Sequence, residues 1–356
     1  MKKIILTGGG TAGHVTPNLA LIPELQKEGF EISYIGSQNG IEKGLIQREK
    51  IPYYSISTGK LRRYFSTKNV TDMFRVLAGI KEAASLIQKI KPDVVFSKGG
   101  FVAVPVVLGA KFHHIPVIVH ESDMTPGLSN KIATPFAKKV CTTFPETLKY
   151  LPKGKGVNTG TPIRKELFEG NRQKGLELCG FTSNKPVIMM MGGSLSSVKI
   201  NIQLREALPS LLKDFQLVHI CGKGNLADKL NHTAGYQQFE YISDELPHIF
   251  AAADVVISRA GSNSISEFLA LKKPNLLIPL SIHASRGDQI LNAASFEKQG
   301  FSMVLQEEEM IGVALEKAVR TLYENRQRYV EKMEKSKASN GVSQVMQVIR
   351  GFVHSV

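Results

Sequence analysis

Apolar residues fall along this chain in two alternating patterns. Short continuous runs rich in Val, Ile and Met cover residues 3–7, 31–35, 94–96 and 117–120 in the first half. Similar runs cover 187–191, 216–221, 253–258 and 274–279 in the second. Runs of this length, apolar at consecutive positions, predict strands of a parallel sheet covered on both faces. Between them lie longer stretches with helical spacing: Pro17 to Glu28, stopped by Gly29, a segment ending near Leu212, and Ser262 to Leu271. Strands that alternate with helices predict an α/β fold.

The pattern occurs twice. Lys2 to His14 (KKIILTGGGTAGH) and Lys185 to Ser197 (KPVIMMMGGSLSS) each run from an apolar strand into a glycine-rich loop. The run Asp93-Val94-Val95-Phe96-Ser97-Lys98-Gly99-Gly100 is echoed by Asp254-Val255-Val256-Ile257-Ser258-Arg259-Ala260-Gly261. Each is followed by a proline, Pro116 or Pro274, that opens another apolar strand. Order and spacing agree in both halves, which predicts two Rossmann-like domains facing each other across a cleft. A Pro/Gly/Lys-rich stretch at 152–162 reads as the linker. The expected division is 1–162, 163–338, and a C-terminal helix over 339–356. Val342, Val345, Met346 and Ile349 give that helix an apolar stripe able to dock back on the first domain.

Length supports this division, since 356 residues suffice for two domains with their own cores. Cys141, Cys179 and Cys221 are scattered and lack a C-x-x-C spacing, which argues against a disulfide framework or zinc site and for a reducing compartment. The apolar part of residues 1–13 is too short for a signal peptide, and no run approaches a spanning helix. The net charge of +14 favours anionic partners, with solubility alone as the plainer reading. Residues 60–91 hold eight Lys or Arg against Asp72 and Glu82, a large share of that excess.

The glycine loops carry the candidate chemistry. Gly8 to Gly13 satisfies G-x-G-x-x-G between a strand and a helix, where backbone N–H groups and the helix dipole suit a phosphate. A nicotinamide cofactor is disfavoured, because the next strand ends Tyr34-Ile35-Gly36-Ser37-Gln38 without the ribose-binding acid. His14 follows the loop directly. It reads either as a residue lining the turn or as a general base, since an imidazole with a pKa of about 6.5 accepts a proton at neutral pH. Gly192-Gly193-Ser194 offers a second set of donors, and Arg164 is either a surface ion-pair residue or a bidentate grip on a diphosphate. Ser262 is the expected N-cap of its helix. Glu267 reads either as a solvated acid favoured by the helix dipole or as an acceptor from two ribose hydroxyls. Gln289 stands where a loop becomes a helix and can hydrogen-bond a sugar. No D-x-D occurs, so a carboxylate-held metal is not expected.

The basic segment has two readings. Leu61-Arg62-Arg63-Tyr64-Phe65 mixes cations and aromatics, and residues 70–90 form a helix whose apolar arc includes Phe74 and Leu77. That arc is either core or a surface that dips into an anionic leaflet with the cations on lipid phosphates. Nucleic acid is not expected, because no recognised binding motif accompanies the charge.

Taken in order, GGGTAGH, SKGGF with its proline, HESDMTPGLSNK, TPIR, GGS, SRAGSNSISE and the Asp288-Gln289 pair resemble the MurG family. These are bacterial UDP-N-acetylglucosamine:lipid I N-acetylglucosaminyltransferases of glycosyltransferase family 28. The resemblance spans essentially the whole chain. It implies the GT-B fold and a metal-independent, inverting transfer of N-acetylglucosamine from UDP to the 4-hydroxyl of N-acetylmuramoyl-pentapeptide on undecaprenyl diphosphate, giving lipid II. It implies no cofactor. The implied partners are UDP-N-acetylglucosamine, lipid I, an anionic membrane surface at the cytoplasmic face and other cell-wall synthesis proteins. By position, His14 becomes the base, and Thr11, Ala12 and Gly13 lie against the donor sugar and the acceptor side. Arg164 and Ser194 contact the UDP phosphates, Ile242 the uracil, Glu267 the ribose and Gln289 the sugar. Ser262, Asn263 and Ser264 complete the donor set.

Three positions depart from the family pattern. Ser196 replaces a glycine of the second loop. Asp123 stands where many members have Asn, and Asp288 where some have Gln, so both count as donor or acceptor contacts of undetermined kind. Two other functions fit the same pattern: a related GT-B enzyme that glycosylates a diacylglycerol-type lipid, and a non-catalytic membrane-docking protein.

Overall fold

The computed structural model describes residues 2–59, 68–192, 198–283, 287–311, 313–336 and 340–353; side chains at 68–72 lie outside the described set. The chain divides into two units, 1–164 with 340–356, and 165–339. In the first, the strands are β1 (Lys2–Thr7), β2 (Phe30–Ser37), β3 (Tyr53–Ile56), β4 (Val94–Ser97), β5 (Val117–Glu121), β6 (Lys139–Thr142) and β7 (Gly156–Asn158). Its helices are α1 (Thr16–Lys27), α2 (Ile41–Arg48), α3 (Lys68–Ile90), α4 (Ala103–Phe112) and α5 (Leu128–Ala133). The second unit has β8 (Val187–Met191), β9 (Gln216–Ile220), β10 (Tyr236–Phe239), β11 (Val255–Ser258), β12 (Asn275–Leu277) and β13 (Met303–Val304). Its helices are α6 (Arg172–Cys179), α7 (Val198–Leu211), α8 (Leu246–Ala252), α9 (Ser262–Ala270), α10 (Asp288–Lys298), α11 (Val313–Glu324) and α12 (Arg326–Glu334). The last helix, α13 (Val342–Arg350), belongs to the first unit.

Both sheets are parallel, in the orders β3-β2-β1-β4-β5-β6-β7 and β10-β9-β8-β11-β12-β13. These are two copies of one Rossmann-like α/β plan, with β8 and β11 standing where β1 and β4 stand. Continuous apolar strands follow from burial on both faces. Ile4 and Leu6 of β1 enter one core with Val94, Phe96 and Ile118. Ile5 enters the opposite core with Val95, Val117 and Val119. Alternate side chains point to opposite faces, so both parities must be apolar.

The repeated aspartate has a shared structural cause. Asp93 Oδ2 accepts from Lys3 N–H at 2.7 Å, and Asp93 N–H donates to Lys3 C=O at 2.9 Å. Asp254 Oδ2 likewise accepts from Val187 N–H at 2.7 Å, with Asp254 N–H on Val187 C=O at 2.8 Å. Each aspartate pins the start of the central strand to its neighbour. The order reverses at β1/β4 and at β8/β11, and the carboxyl ends of these pairs are where open α/β sheets bind ligands.

Two expectations need adjustment. Ile163 and Arg164, placed by the sequence with the second domain, group with the first. Asn340 is the reason: its Oδ1 accepts from Ile163 N–H at 2.9 Å and its Nδ2 donates to Ile163 C=O at 2.7 Å. The returning α13 then buries Val345, Met346 and Ile349 against Leu21 and Leu25 of α1. Helix α3 is core along one part and exposed along another. Ala83 and Ile87 are core, whereas Met73, Phe74 and Leu77 are 61%, 68% and 53% exposed. Leu61, Arg62, Arg63 and Phe65 lie outside the described residues. Among the described residues no helix is long and apolar enough to cross a membrane.

Candidate active site

In the first unit, three loops meet at the carboxyl ends of β1, β4 and β5. The β1 loop runs through Gly8–Gly10 into a 3-10 turn at Ala12–His14, and α1 begins only at Thr16. A true α-helix therefore does not open directly on the glycines, as the sequence pattern had suggested. His14 Nδ1 lies 3.1 Å from Thr11 Oγ1, and His14 is half-buried. Thr11 is exposed, and Ala12 and Gly13 are half-buried.

The loop's N–H groups are not all open to a ligand. Glu42 of α2 is fully buried and folds back against the loop, accepting from Gly10 N–H at 3.2 Å and from Ser37 N–H at 3.0 Å and its hydroxyl. A Cβ at Gly9 would meet the Glu42 carboxyl carbon at 2.5 Å, which explains the glycine. The acid missing from the end of β2 in the sequence is thus supplied by the next helix, and it closes the first loop. Sequence reasoning missed Glu42 because a strand-end motif looks for an acid on the strand. From the β4 loop, Gly100 (φ +83) passes so close to Gly9 that a Cβ would lie 2.3 Å from Gly9 O.

The β5 loop is organised by Glu121. Its Oε1 accepts from Asp123 N–H at 3.0 Å, and its Oε2 from Gly127 N–H at 2.9 Å and Asn130 Nδ2 at 2.8 Å. Burial, and then the charge of Asp123, raise its pKa. His120 Nε2 lies 2.9 Å from Gly160 C=O, and burial with the nearby Lys98 charge pushes its pKa down to about 3. His120 is therefore a neutral imidazole donating from Nε2, not a second base on the surface. Asp123 is half-buried and its backbone N–H is committed to Glu121. Arg164 is half-buried, and its buried Nε has no hydrogen-bond partner among the described residues.

In the second unit the corresponding loops follow β8, β11 and β12. Ser194 and Ser196 lie outside the described residues. Gly261, not Ser262, takes the N-cap position of α9; Ser262 is the first helical residue and its C=O accepts from Ser266 Oγ at 2.7 Å. The glycine before it already has the extended backbone that a cap requires, so Ser262 is drawn into the first turn. Asn263 and Ser264 are half-buried on that turn, and Glu267 is buried behind them. Gln289, on the first turn of α10, accepts through Oε1 from Leu280 N–H at 3.1 Å. Asp288 opens the same helix after Gly287. Ile242 is buried beside the exposed Tyr241.

Comparison with known proteins decides the family. Residues 4–142 match the glycosyltransferase family 28 N-terminal domain and residues 187–349 its C-terminal domain. The chain is 62% identical over 350 residues to a Lachnospira eligens protein, covering 98% of this chain and 99% of the relative. It is 59% identical over 351 residues to one from Clostridium tetani, covering 99% and 98%. Both are described as UDP-N-acetylglucosamine--N-acetylmuramyl-(pentapeptide) pyrophosphoryl-undecaprenol N-acetylglucosamine transferase. This chain belongs to glycosyltransferase family 28. Among solved structures, Acinetobacter baumannii MurG aligns over 99% of this chain and all of its own, at 27% identity and a TM-score of 0.77. The kitacinnamycin glycotransferase, at 15% identity and the same TM-score, shares the fold. As a family 28 glycosyltransferase, the chain carries its nucleophile-activating candidate, His14, in the N-terminal domain, and Glu267 and Gln289 in the C-terminal one.

Glu42 makes the first of these domains testable. Glu42→Ala strands two backbone donors and is expected to cost about 2–4 kcal/mol of stability. Urea denaturation followed by circular dichroism measures this. A loss below about 0.5 kcal/mol, the range of ordinary surface substitutions, would mean that Glu42 does not organise the loop.

Proposed function

We propose that this chain is the transferase that moves N-acetylglucosamine from UDP-N-acetylglucosamine to the 4-hydroxyl of the N-acetylmuramoyl-pentapeptide of lipid I, giving lipid II. The observation that carries this reading is the 62% identity over 98% of the chain to a relative described by that transfer. The first unit supplies the acceptor side. His14 Nδ1 lies 3.1 Å from Thr11 Oγ1; in the tautomer that donates Nδ1–H to that hydroxyl, Nε2 keeps its lone pair for the acceptor proton. As that proton moves to Nε2, the acceptor oxygen attacks the anomeric carbon. The bond from that carbon to the β-phosphate oxygen breaks, UDP leaves with the electron pair, and the configuration inverts.

The second unit supplies the donor side. Glu267 takes the ribose hydroxyls, Ile242 lies by the uracil, Gln289 takes the sugar, and Ser262, Asn263 and Ser264 complete the contacts. Ser194 takes the UDP phosphates, and Arg164, the last residue of the first unit before its boundary, is the other phosphate contact the family pattern implies. The unpartnered Arg164 Nε supports its part, because buried donors without partners are rare and await an acceptor. No metal is required on this reading; helix termini and arginine stabilise the departing diphosphate. The protein works peripherally on the cytoplasmic face of the membrane. Phe74 and Leu77, exposed beside Arg75 on α3, support a contact with an anionic surface.

Incubation with UDP-N-acetylglucosamine and a lipid I analogue, in chelator, tests the activity. Mass analysis should show one added N-acetylhexosamine. No product on lipid I, with product on diacylglycerol, would replace the acceptor by a glycerolipid. In the same assay His14→Ala should lower kcat by about 10²–10⁴-fold; a wild-type rate would remove His14 from the base role. Phe74→Glu with Leu77→Glu should reduce co-sedimentation with anionic vesicles, and undiminished binding would remove this face of α3 from the membrane contact.

A further inference from the structure

The two halves differ at one duplicated position. Lys98 follows β4, and Arg259 follows the equivalent strand β11. Both cations are buried, 1% and 6% exposed. Arg259 is neutralised: its Nη2 lies 2.5 Å from Glu307 Oε1, and its Nη1 donates to Ile278 C=O at 3.1 Å and Pro279 C=O at 3.2 Å. Lys98 is not. Its ammonium donates to Ser122 Oγ and makes no ion pair among the described residues. Glu121 is close enough to act on it by charge, yet the Glu121 oxygens are occupied by Asp123, Gly127 and Asn130.

An ammonium buried with one hydrogen bond and no directly paired carboxylate, only the through-space pull of Glu121 and Asp123, is costly, and such a group persists where it serves something other than stability. Its place says what. The Cβ of Lys98 lies 3.0 Å from where a Cβ on Gly8 would sit, and the His14 carbonyl lies 2.4 Å from that same point. Ser122, which its ammonium holds, precedes Asp123 in the β5 loop. Lys98 therefore stands beneath both loops that carry the acceptor-side candidates, at the switch point of the sheet.

We propose that Lys98 is a positioning residue for the acceptor: through Ser122 it fixes the β5 loop, and its charge, not directly paired with a carboxylate, favours an acceptor bearing phosphate. This rests on the reading of the first unit as the acceptor side. Burial holds the Lys98 pKa down to about 8, against the upward pull of Glu121 and Asp123. The charged groups that act on it are Glu121 and Asp123 of β5 and its loop, and the neutral His120 of β5 stands close enough to feel its charge. In the folded chain the charge is thus lost as pH rises through about 8, while in the unfolded chain it persists to about 10.5. The sign is that of a destabilising charge: below pH 8 the fold bears its cost, and stability from this group rises between the two values.

Lys98→Met, Lys98→Arg and Ser122→Ala test the proposal, with kcat/KM measured separately for a lipid I analogue and for UDP-N-acetylglucosamine. Lys98→Met should keep or raise Tm at pH 7 while acceptor kcat/KM falls about tenfold or more and donor KM changes by less than about twofold. Wild-type acceptor kcat/KM should decline above about pH 8, and Lys98→Arg, charged throughout, should lack that decline. Ser122→Ala should share the acceptor defect. Acceptor kcat/KM within about twofold of wild type in Lys98→Met overturns the proposal. So does a lowered Tm with equal losses for donor and acceptor, which marks a structural role. His14→Ala assayed in parallel separates the two readings. If it is inactive while Lys98→Met is unimpaired, only the Lys98 assignment fails; if it too is unimpaired, the acceptor-side reading fails.

Discussion

The register between the two central strands of each sheet is the constraint on which the rest depends. Asp93 fixes it in the first unit and Asp254 in the second, each by a carboxylate on an N–H at the start of the neighbouring strand, Lys3 or Val187, and a backbone bond in return. With that end clamped, the opposite ends of β1 and β4, and of β8 and β11, emerge side by side. The glycines and basic residues that follow are therefore brought together by strand length alone. A one-residue slip would exchange the two buried faces and carry the loops with them.

From this common frame the halves diverge by how each satisfies its polar groups. In the first unit a buried carboxylate, Glu42, takes Gly10 N–H, and another, Glu121, takes two backbone N–H groups of the β5 loop. The loops are thereby held by the protein's own carboxylates, with Thr11 exposed and His14 and Asp123 half-buried beside them. In the second unit the duplicated cation is closed by Glu307, and α9 opens on Ser262, Asn263 and Ser264 with Glu267 buried one turn further on. This asymmetry within a duplicated plan is what the proposed division between acceptor and donor rests on.

Much of this was legible in the sequence, because parallel strands buried on both faces leave uninterrupted apolar runs. Strands β4, β5, β8 and β11 lie where Val94–Phe96, Val117–His120, Val187–Met191 and Ala253–Ser258 predicted them. The echo of Asp93 in Asp254 was visible as a word, but its meaning as a clamp needed the strand pairing. What the sequence hid were contacts made at a distance. Glu42 reaches the glycine loop across 32 positions, and Asn340 holds Ile163 across 177. No local motif encodes either, and both moved conclusions: one closed the first loop, the other shifted the domain boundary past Arg164. The N-cap of α9 shifted by one residue because an extended glycine competes with a serine for that position.

The division between the halves is tested most directly by the dissociation constant of UDP, measured by calorimetry on His14→Ala and Glu267→Ala beside the wild type. The account predicts that His14→Ala binds UDP as the wild type does. Glu267→Ala should bind about tenfold or more weakly, the loss of hydrogen bonds to a charged acceptor. Weakened binding in His14→Ala with wild-type binding in Glu267→Ala would contradict it.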